Sequence, residues 1–279
     1  MIQKHEIPAN SRLYFLQSAN IKREIEYSAS RELQTLGYAE IVTPYFSYHQ
    51  ETNLSDRKLL KLSDRDNNTL CLRADSTIDV VRIITKRLGR SIEQKKWFYI
   101  QPVFSYPSTE NYQIGGEILE NSDLSISLRD SIEVLKCIDV TPILQISNTN
   151  IPQILSQSLD IPLEVFKSSN IQKLLDLKLD WLTKLTYIQY VDEIKEILDI
   201  VPSDIKEELL KILKLCEDIS YEKLIISPLY YARMDYYDGL FFRYIDKNSI
   251  YGMGGSYEYE DINATGFALY VDKLIEEKF

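Results

Sequence analysis

The pattern of this chain predicts an α+β fold: a largely antiparallel sheet flanked by helices, with a helical insertion at about 152–218. Two observations carry that prediction. Strand-like segments gather before and after one long helical block, and strand–helix–strand alternation is rare. A third observation is size: 279 residues, 44% hydrophobic and 27% charged, suit one soluble domain spanning 1–279 with an ample core.

Element by element, apolar and small residues recur at helical spacing from Ser18 to Leu36 (Ala19, Ile21, Ile25, Ala29, Leu33), and Gly37 suits the residue past the helix end. Tyr38–Pro44 is β-prone, and its closing proline belongs at a sheet edge or an interface. Leu59–Ser63 and Thr69–Arg73 read as strands joined by the polar turn 64–68, after which Ser76 or Thr77 caps a helix running to about Leu88. Trp97–Phe104 and Tyr112–Leu119 are further strands, the second with a mid-strand glycine pair that leaves room for a ligand. Asp123–Ile138 is an amphipathic helix and Pro142–Ser147 a strand. From Pro152 to about Ile219 the chain is helical, with breaks near Ile161-Pro162 and Pro202-Ser203. Strands return from Leu224 through Tyr244 and from Ile250 to Gly252, and a helix from about Leu269 to Lys278 closes the chain.

Composition excludes several classes of function. With 32 basic and 42 acidic side chains the net charge is -10, which opposes binding to nucleic acid. The one basic cluster, Lys86 to Arg90 with Lys95 and Lys96, reads as a solvated helix end. Cys71, Cys137 and Cys216 are odd in number and far apart, so neither a disulfide framework nor a metal site is expected. His5 and His49 lie outside any acid- or cysteine-rich motif, which argues against zinc and against a Ser-His-Asp triad. No apolar run is long enough to span a bilayer and the polar start is no signal peptide, so a cytoplasmic protein without membrane contact, metal or cofactor is expected.

Four polar clusters fall in the strand-rich parts: Arg73/Asp75/Thr77, Gln113/Glu117, Arg233/Asp235/Tyr236/Tyr237, and the glycine-rich Tyr251–Tyr257. Gln113 and Glu117, four apart, share one face of a strand, which by itself reads as an exposed sheet face. Gly252-x-Gly254-Gly255 lacks the lysine and context of a phosphate loop and by itself reads as a tight turn. The charges of the third cluster interrupt the apolar run 229–242, so they must pair with each other or face a polar ligand.

In order and over almost the whole chain, these clusters resemble the histidyl-tRNA synthetase family and its non-catalytic branch, the regulatory subunits of ATP phosphoribosyltransferase. Leu72-Arg73-Ala74-Asp75-Ser76-Thr77 is similar to the family's Leu-Arg-Pro/Ala-Asp/Glu-x-Thr segment. Gln113–Glu117 is similar to its Gln-x-Gly-x-Glu strand, and Ala232–Gly239 to its Arg-Gly-Leu-Asp-Tyr-Tyr-x-Gly motif. Pro44 after a long helix resembles the first class II synthetase motif, which implies a dimer interface. The resemblance implies a class II synthetase-like sheet and a histidine site made by Asp75, Thr77, Gln113, Glu117, Arg233, Tyr236 and Tyr237. In that site Asp75, Thr77 and Gln113 take the ammonium, and Glu117 and Tyr237 bracket the imidazole. Arg233 sits one residue from the family's arginine position, which Ala232 fills. It either clamps the carboxylate or pairs with Asp235, and a one-residue shift on a strand tends to reverse the face.

Departures from the family pattern favour the non-catalytic branch. Ser105-Tyr106-Pro107 follows Phe104 where the synthetases have Arg-x-Glu. Near the last helix, Lys273 stands for an arginine, Tyr270 for a glycine and Asp272 for a glutamate. Without those arginines nothing grips ATP for adenylate formation, and no enzyme activity is expected. A chain closing at Phe279 leaves no anticodon-binding domain. The implied partners are the short-form catalytic subunit of ATP phosphoribosyltransferase, a second copy of the chain, and L-histidine. The alternatives are a stand-alone ligase that activates histidine or a similar amino acid, with Lys273 replacing the arginine, and an assembly subunit with a decayed pocket, suggested by Ala232 and Ser256.

Overall fold

The computed structural model describes residues 6–48, 59–89, 92–217, 219–231 and 237–279. They form two compact units, each assembled from separated stretches of sequence: Met1–Glu120 with Asp130–Val140 and Gly266–Phe279, and Asn121–Arg129 with Thr141–Thr265.

The first unit opens with α1 (Leu16–Thr35), whose Lys22, Ile25, Ala29 and Leu33 form one buried stripe at helical spacing. Gly37 ends it in the left-handed region at φ +86°. The stripe packs on β1 (Ala39–Glu40), β5 (Lys96–Ser105) and β6 (Thr109–Leu119), and on α10 (Val271–Lys278). β5 and β6 make one long antiparallel hairpin, paired from Lys96↔Ile118 to Ser105↔Thr109, while β1 runs parallel to β5. A small second sheet pairs β2 (Phe46–Ser47), β4 (Thr69–Leu72) and β3 (Lys61–Ser63) in that order. The hairpin expected at 59–73 is thus present with shorter strands, and Asp64 ties its turn by accepting the Asp66 and Asn68 N–H groups.

The helix expected after Arg73 is α2 (Thr77–Ile83), continued by a π-helical turn, Ile84–Leu88, where the Gly89 N–H reaches back to the Ile84 carbonyl. Its cap differs from expectation. Asp75, rather than Ser76 or Thr77, accepts from the helix start, taking the Ile78 N–H at 2.9 Å. The two hydroxyls are drawn away by buried partners, Ser76 by Gln101 and Thr77 by Tyr99. The basic cluster also divides: Lys86 and Arg87 are exposed, but Lys96 turns inward to Asp130 and lies over the Tyr38 ring.

In the second unit β7 (Ile143–Asn148) lies between parallel β8 (Leu224–Ile226) and antiparallel β9 (Tyr237–Asp246), which in turn pairs with β10 (Ser249–Tyr259). The pairings are therefore antiparallel in the long strands and throughout the small sheet, and parallel at β1–β5 and β7–β8. The helical block comprises α4 (Asn150–Ser158), α5 (Glu164–Lys167), α6 (Ile171–Leu175), α7 (Asp180–Tyr187), α8 (Val191–Ile197) and α9 (Ser203–Glu217), and α3 (Leu124–Cys137) precedes it. Leu182, Leu185, Ile194, Leu209 and Ile212 form the core of the block, while Leu144, Ile146, Phe242 and Tyr244 are buried in the strands.

Two expectations for this region are corrected. The glycine-rich segment 252–257 is no turn but the middle of β10, and a further strand, β11 (Ile262–Tyr270), follows it. Among the described residues no helix is long and apolar enough to cross a membrane.

Candidate functional site

Arg73 anchors the segment that carries Asp75 and Thr77. Its side chain is fully buried, and among the described residues no carboxylate is hydrogen-bonded to it. The guanidinium gives Nε and Nη2 to the Pro102 carbonyl (3.0 and 2.6 Å) and Nη1 to the Thr43 carbonyl and hydroxyl (both 2.9 Å) and the Pro44 carbonyl (3.2 Å). Buried Gln101 continues the network, accepting the Thr43 N–H and hydroxyl and donating to Ser76. Arginine at this position is a structural clamp between β5 and the chain at Pro44, because a fixed fork of donors matches several carbonyls at once.

Around this clamp the first unit gathers four predicted residues. Hairpin pairing puts Trp97, Tyr99 and Gln101 on one face with Glu117, Gly115 and Gln113 opposite them. The Tyr99 ring lies where a side chain at 115 would be, so that glycine is required by close approach. Its hydroxyl links two predicted residues through long contacts, 3.3 Å to Thr77 Oγ1 and 3.4 Å to Glu117 Oε1. Glu117 is fully buried, unlike the exposed sheet face that its spacing alone suggests, and Gln113 is half-buried. A Cβ on Gly266 would run into the Glu117 carboxylate, which fixes that carboxylate against the backbone of β11.

Tyr99 was not foreseen as a site residue. The signal lay in the turn at 106–108: once it sets the hairpin register, Tyr99 falls opposite Gly115.

Asp75 is half-buried, and burial pushes its carboxyl above the usual range; the Ile78 N–H pulls the other way and the charge of Asp79 adds to the rise. Tyr270, noted in the sequence only as replacing a glycine, is raised to about 12 by burial and then by the charge of Asp75. A carboxyl whose folded pKa is raised contributes stability below its unfolded pKa and loses it as pH rises through the folded value. Asp75→Asn keeps a cap acceptor without the charge. Its stability relative to the parent is therefore expected to increase as pH rises above about 4. Melting temperatures at pH 4 and pH 7 check this, and an unchanged difference between the two proteins would refute it.

In the second unit Tyr237 begins β9. The pairing of β9 with β10 slips there: Phe241 faces Gly255 and Tyr237 faces Tyr257, so three residues of β9 oppose one of β10. Gly239 absorbs the bulge at φ +81°. As a result the Tyr237 ring stacks on Phe241 (centroids 6.2 Å apart, planes 6° apart) and covers the place of a side chain on Gly255. Arg233, Asp235 and Tyr236 lie outside the described residues. Lys273, on the first turn of α10, bonds Glu276 at 2.6 Å, and Glu276 also accepts from Arg12. Neighbouring Asp272 is buried and accepts from the Tyr14 hydroxyl and the Tyr112 N–H.

Residues 14–274 match the profile of the family described as histidyl-tRNA synthetase. The ATP phosphoribosyltransferase regulatory subunit of Wolinella succinogenes is 45% identical over 278 residues, which is 99% of this chain and 97% of that protein. A crystal structure described as an ATP phosphoribosyltransferase regulatory subunit/histidyl-tRNA synthetase from Bacillus halodurans superposes with a TM-score of 0.86 at 21% identity, covering 99% of this chain and 84% of the other. A chain of the ATP phosphoribosyl transferase (HisG:HisZ) complex from Thermotoga maritima gives 0.69 at 18% identity over 90% of this chain and 97% of its own length. The fold is therefore that of class II tRNA synthetases, and the chain belongs to the histidyl-tRNA synthetase-like family of ATP phosphoribosyltransferase regulatory subunits.

Proposed function

We propose that this chain is a non-catalytic subunit that binds L-histidine and, joined to a short-form catalytic subunit of ATP phosphoribosyltransferase, activates it and carries feedback control. The observation that carries the ligand is the buried Thr77–Tyr99–Glu117 line beside Gln113, a set of acceptors and hydroxyls suited to an ammonium and an imidazole. Asp75 adds a carboxylate for the ammonium. The family resemblance adds Tyr237 as a second imidazole partner, with Arg233 and Tyr236. Two features support the loss of catalysis. Lys273 is held by Glu276 on the side of α10, and the Tyr270 side chain stands where the family pattern has a bare glycine. Without a planar guanidinium on the phosphates, adenylate formation lacks its main electrostatic support.

Self-association is part of this reading. The edge after β1 exposes Val42, Tyr45 and Phe46, and α1 exposes Tyr27, beside a cavity of about 520 Å³ that Tyr27, Tyr45, Glu40 and Tyr112 help to line. Control by histidine requires that it bind two assembly states unequally.

One assay tests these points together. Mixed with a short-form phosphoribosyltransferase, the protein is expected to raise turnover, and histidine to lower it again. Alone with ATP and histidine it is expected to give no pyrophosphate exchange. Robust exchange would overturn the non-catalytic reading, and turnover unaffected by the chain would overturn the regulatory one.

A further inference from the structure

The bulge that sets Tyr237 is held from the helical block by a buried polar relay. Gly239 gives its N–H to Thr149 Oγ1 at 3.1 Å, and its carbonyl accepts the Thr149 N–H at 2.9 Å and hydroxyl at 3.2 Å. Thr149 stands between two asparagines whose amides converge on one carboxylate oxygen: Asn148 Nδ2 at 2.8 Å and Asn150 Nδ2 at 3.3 Å from Glu208 Oε2. Glu208 lies on α9, nearly buried, and its Oε1 takes Lys211 Nζ at 2.6 Å. Asn148 also accepts the Asn150 N–H at 3.0 Å, the turn that starts α4.

These contacts leave the bulge little freedom. A Cβ on Gly239 would meet the Asn150 amide at 3.3 Å, in a backbone conformation that side chains rarely adopt. A nearly buried carboxylate shared by two amides is costly to disturb, since removing it takes the acceptor from both.

We infer that Glu208 is a positioning residue for Tyr237: through Asn148, Thr149 and Asn150 it fixes the Gly239 bulge, and the helical insertion thereby sets the ligand-facing strand. The relay starts at the surface, where Lys211 is half exposed, so an event on α9 has a physical route to Tyr237. The inference rests on the histidine reading only for what Tyr237 touches.

The test combines exchange and binding. In unliganded protein, Glu208→Gln and Thr149→Val are expected to speed amide hydrogen exchange in 237–242 by about tenfold or more while α1 and the β5–β6 hairpin keep their protection. Calorimetry is expected to show histidine bound about tenfold more weakly by both variants, with affinity retained by Thr149→Ser, which keeps the hydroxyl. In a Tyr237→Phe background the same substitutions are expected to cost no further affinity, which a general loss of stability would not reproduce. Unaltered exchange in 237–242, or additive losses in the Tyr237→Phe background, would overturn the inference. Parent protein that takes up no histidine would sink the histidine reading instead, and exchange would then decide the positioning role.

Discussion

Arg73→Met is expected to lower unfolding stability by about 3–5 kcal/mol, a loss typical of breaking a buried charged network. Methionine fills much of the volume but returns no donor, so the carbonyls of Pro102, Thr43 and Pro44 lose their buried partner together. Two backbone bonds at the same residue, Arg73 N–H to the Tyr45 carbonyl and Phe104 N–H to the Arg73 carbonyl, are kept by any side chain and are not at issue. Lysine keeps a charge yet cannot span two carbonyl groups on opposite sides, so Arg73→Lys is expected to recover less than half of the loss. Urea unfolding midpoints of the three proteins decide the matter. A methionine variant within about 1 kcal/mol of the parent would show the clamp to be dispensable.

Gly266→Ala carries the second large effect, and it separates packing from conformational preference. Residue 266 lies in a strand at no unusual φ, so an alanine there is acceptable to the backbone itself. Its methyl group would nonetheless meet the Glu117 carboxylate and sit 2.9 Å from the Gly116 carbonyl. The Gly116 carbonyl cannot retreat, since Gly116 is pinned in the β5–β6 hairpin and is itself covered by the Tyr38 and Phe267 rings, so the strain falls on the Glu117 side chain. Overpacking of this kind is expected to cost about 1–3 kcal/mol and to displace the Glu117 carboxylate. The displacement is read separately from the stability loss. Gly266→Ala combined with Glu117→Ala removes the obstacle and is expected to restore part of the lost stability, whereas a double variant no better than Gly266→Ala would place the clash elsewhere.

How far the sequence discloses these features varies with the kind of signal each element carries. α1, α3 and the hairpin strands are legible because one side of each is buried at a regular period, which survives in the residue string. The helical block shows its existence but not its joints. Only the proline breaks are visible, while α5 and α6 end with Ser169 and Lys178 in the left-handed region, where no glycine or proline gives warning. Gly252, Gly254 and Gly255 read as breakers, yet they lie inside β10, and at Gly255 the missing side chain is replaced by the Tyr237 ring from the neighbouring strand. Such compensation comes from another element, so no local pattern reports it.

The candidate site divides in the same way. Asp75, Thr77, Gln113 and Glu117 come into view through the family resemblance of their segments, since alone Gln113 and Glu117 read as an exposed sheet face. Tyr99 looks like an ordinary core aromatic until pairing places it opposite Gly115, and Tyr270 stands out in the sequence only as a departure from a glycine. Glu208 is hidden among the many acids of a surface-like helix, and only the fold brings Asn148 and Asn150 to it.

The first unit's split sequence also sets a clock on its birth. α10 packs on α1 and supplies Asp272 to Tyr14 and Tyr112, but it is made roughly 235 residues after α1 is complete, or on the order of 10–50 s at ribosomal speeds. During that interval the β5–β6 hairpin can already close, because its partners are neighbours in the chain. The apolar stripe of α1 meanwhile lacks one of its covers. For this protein the stretch of synthesis between α1 and α10 is when that stripe stands open to chaperones or to another nascent copy.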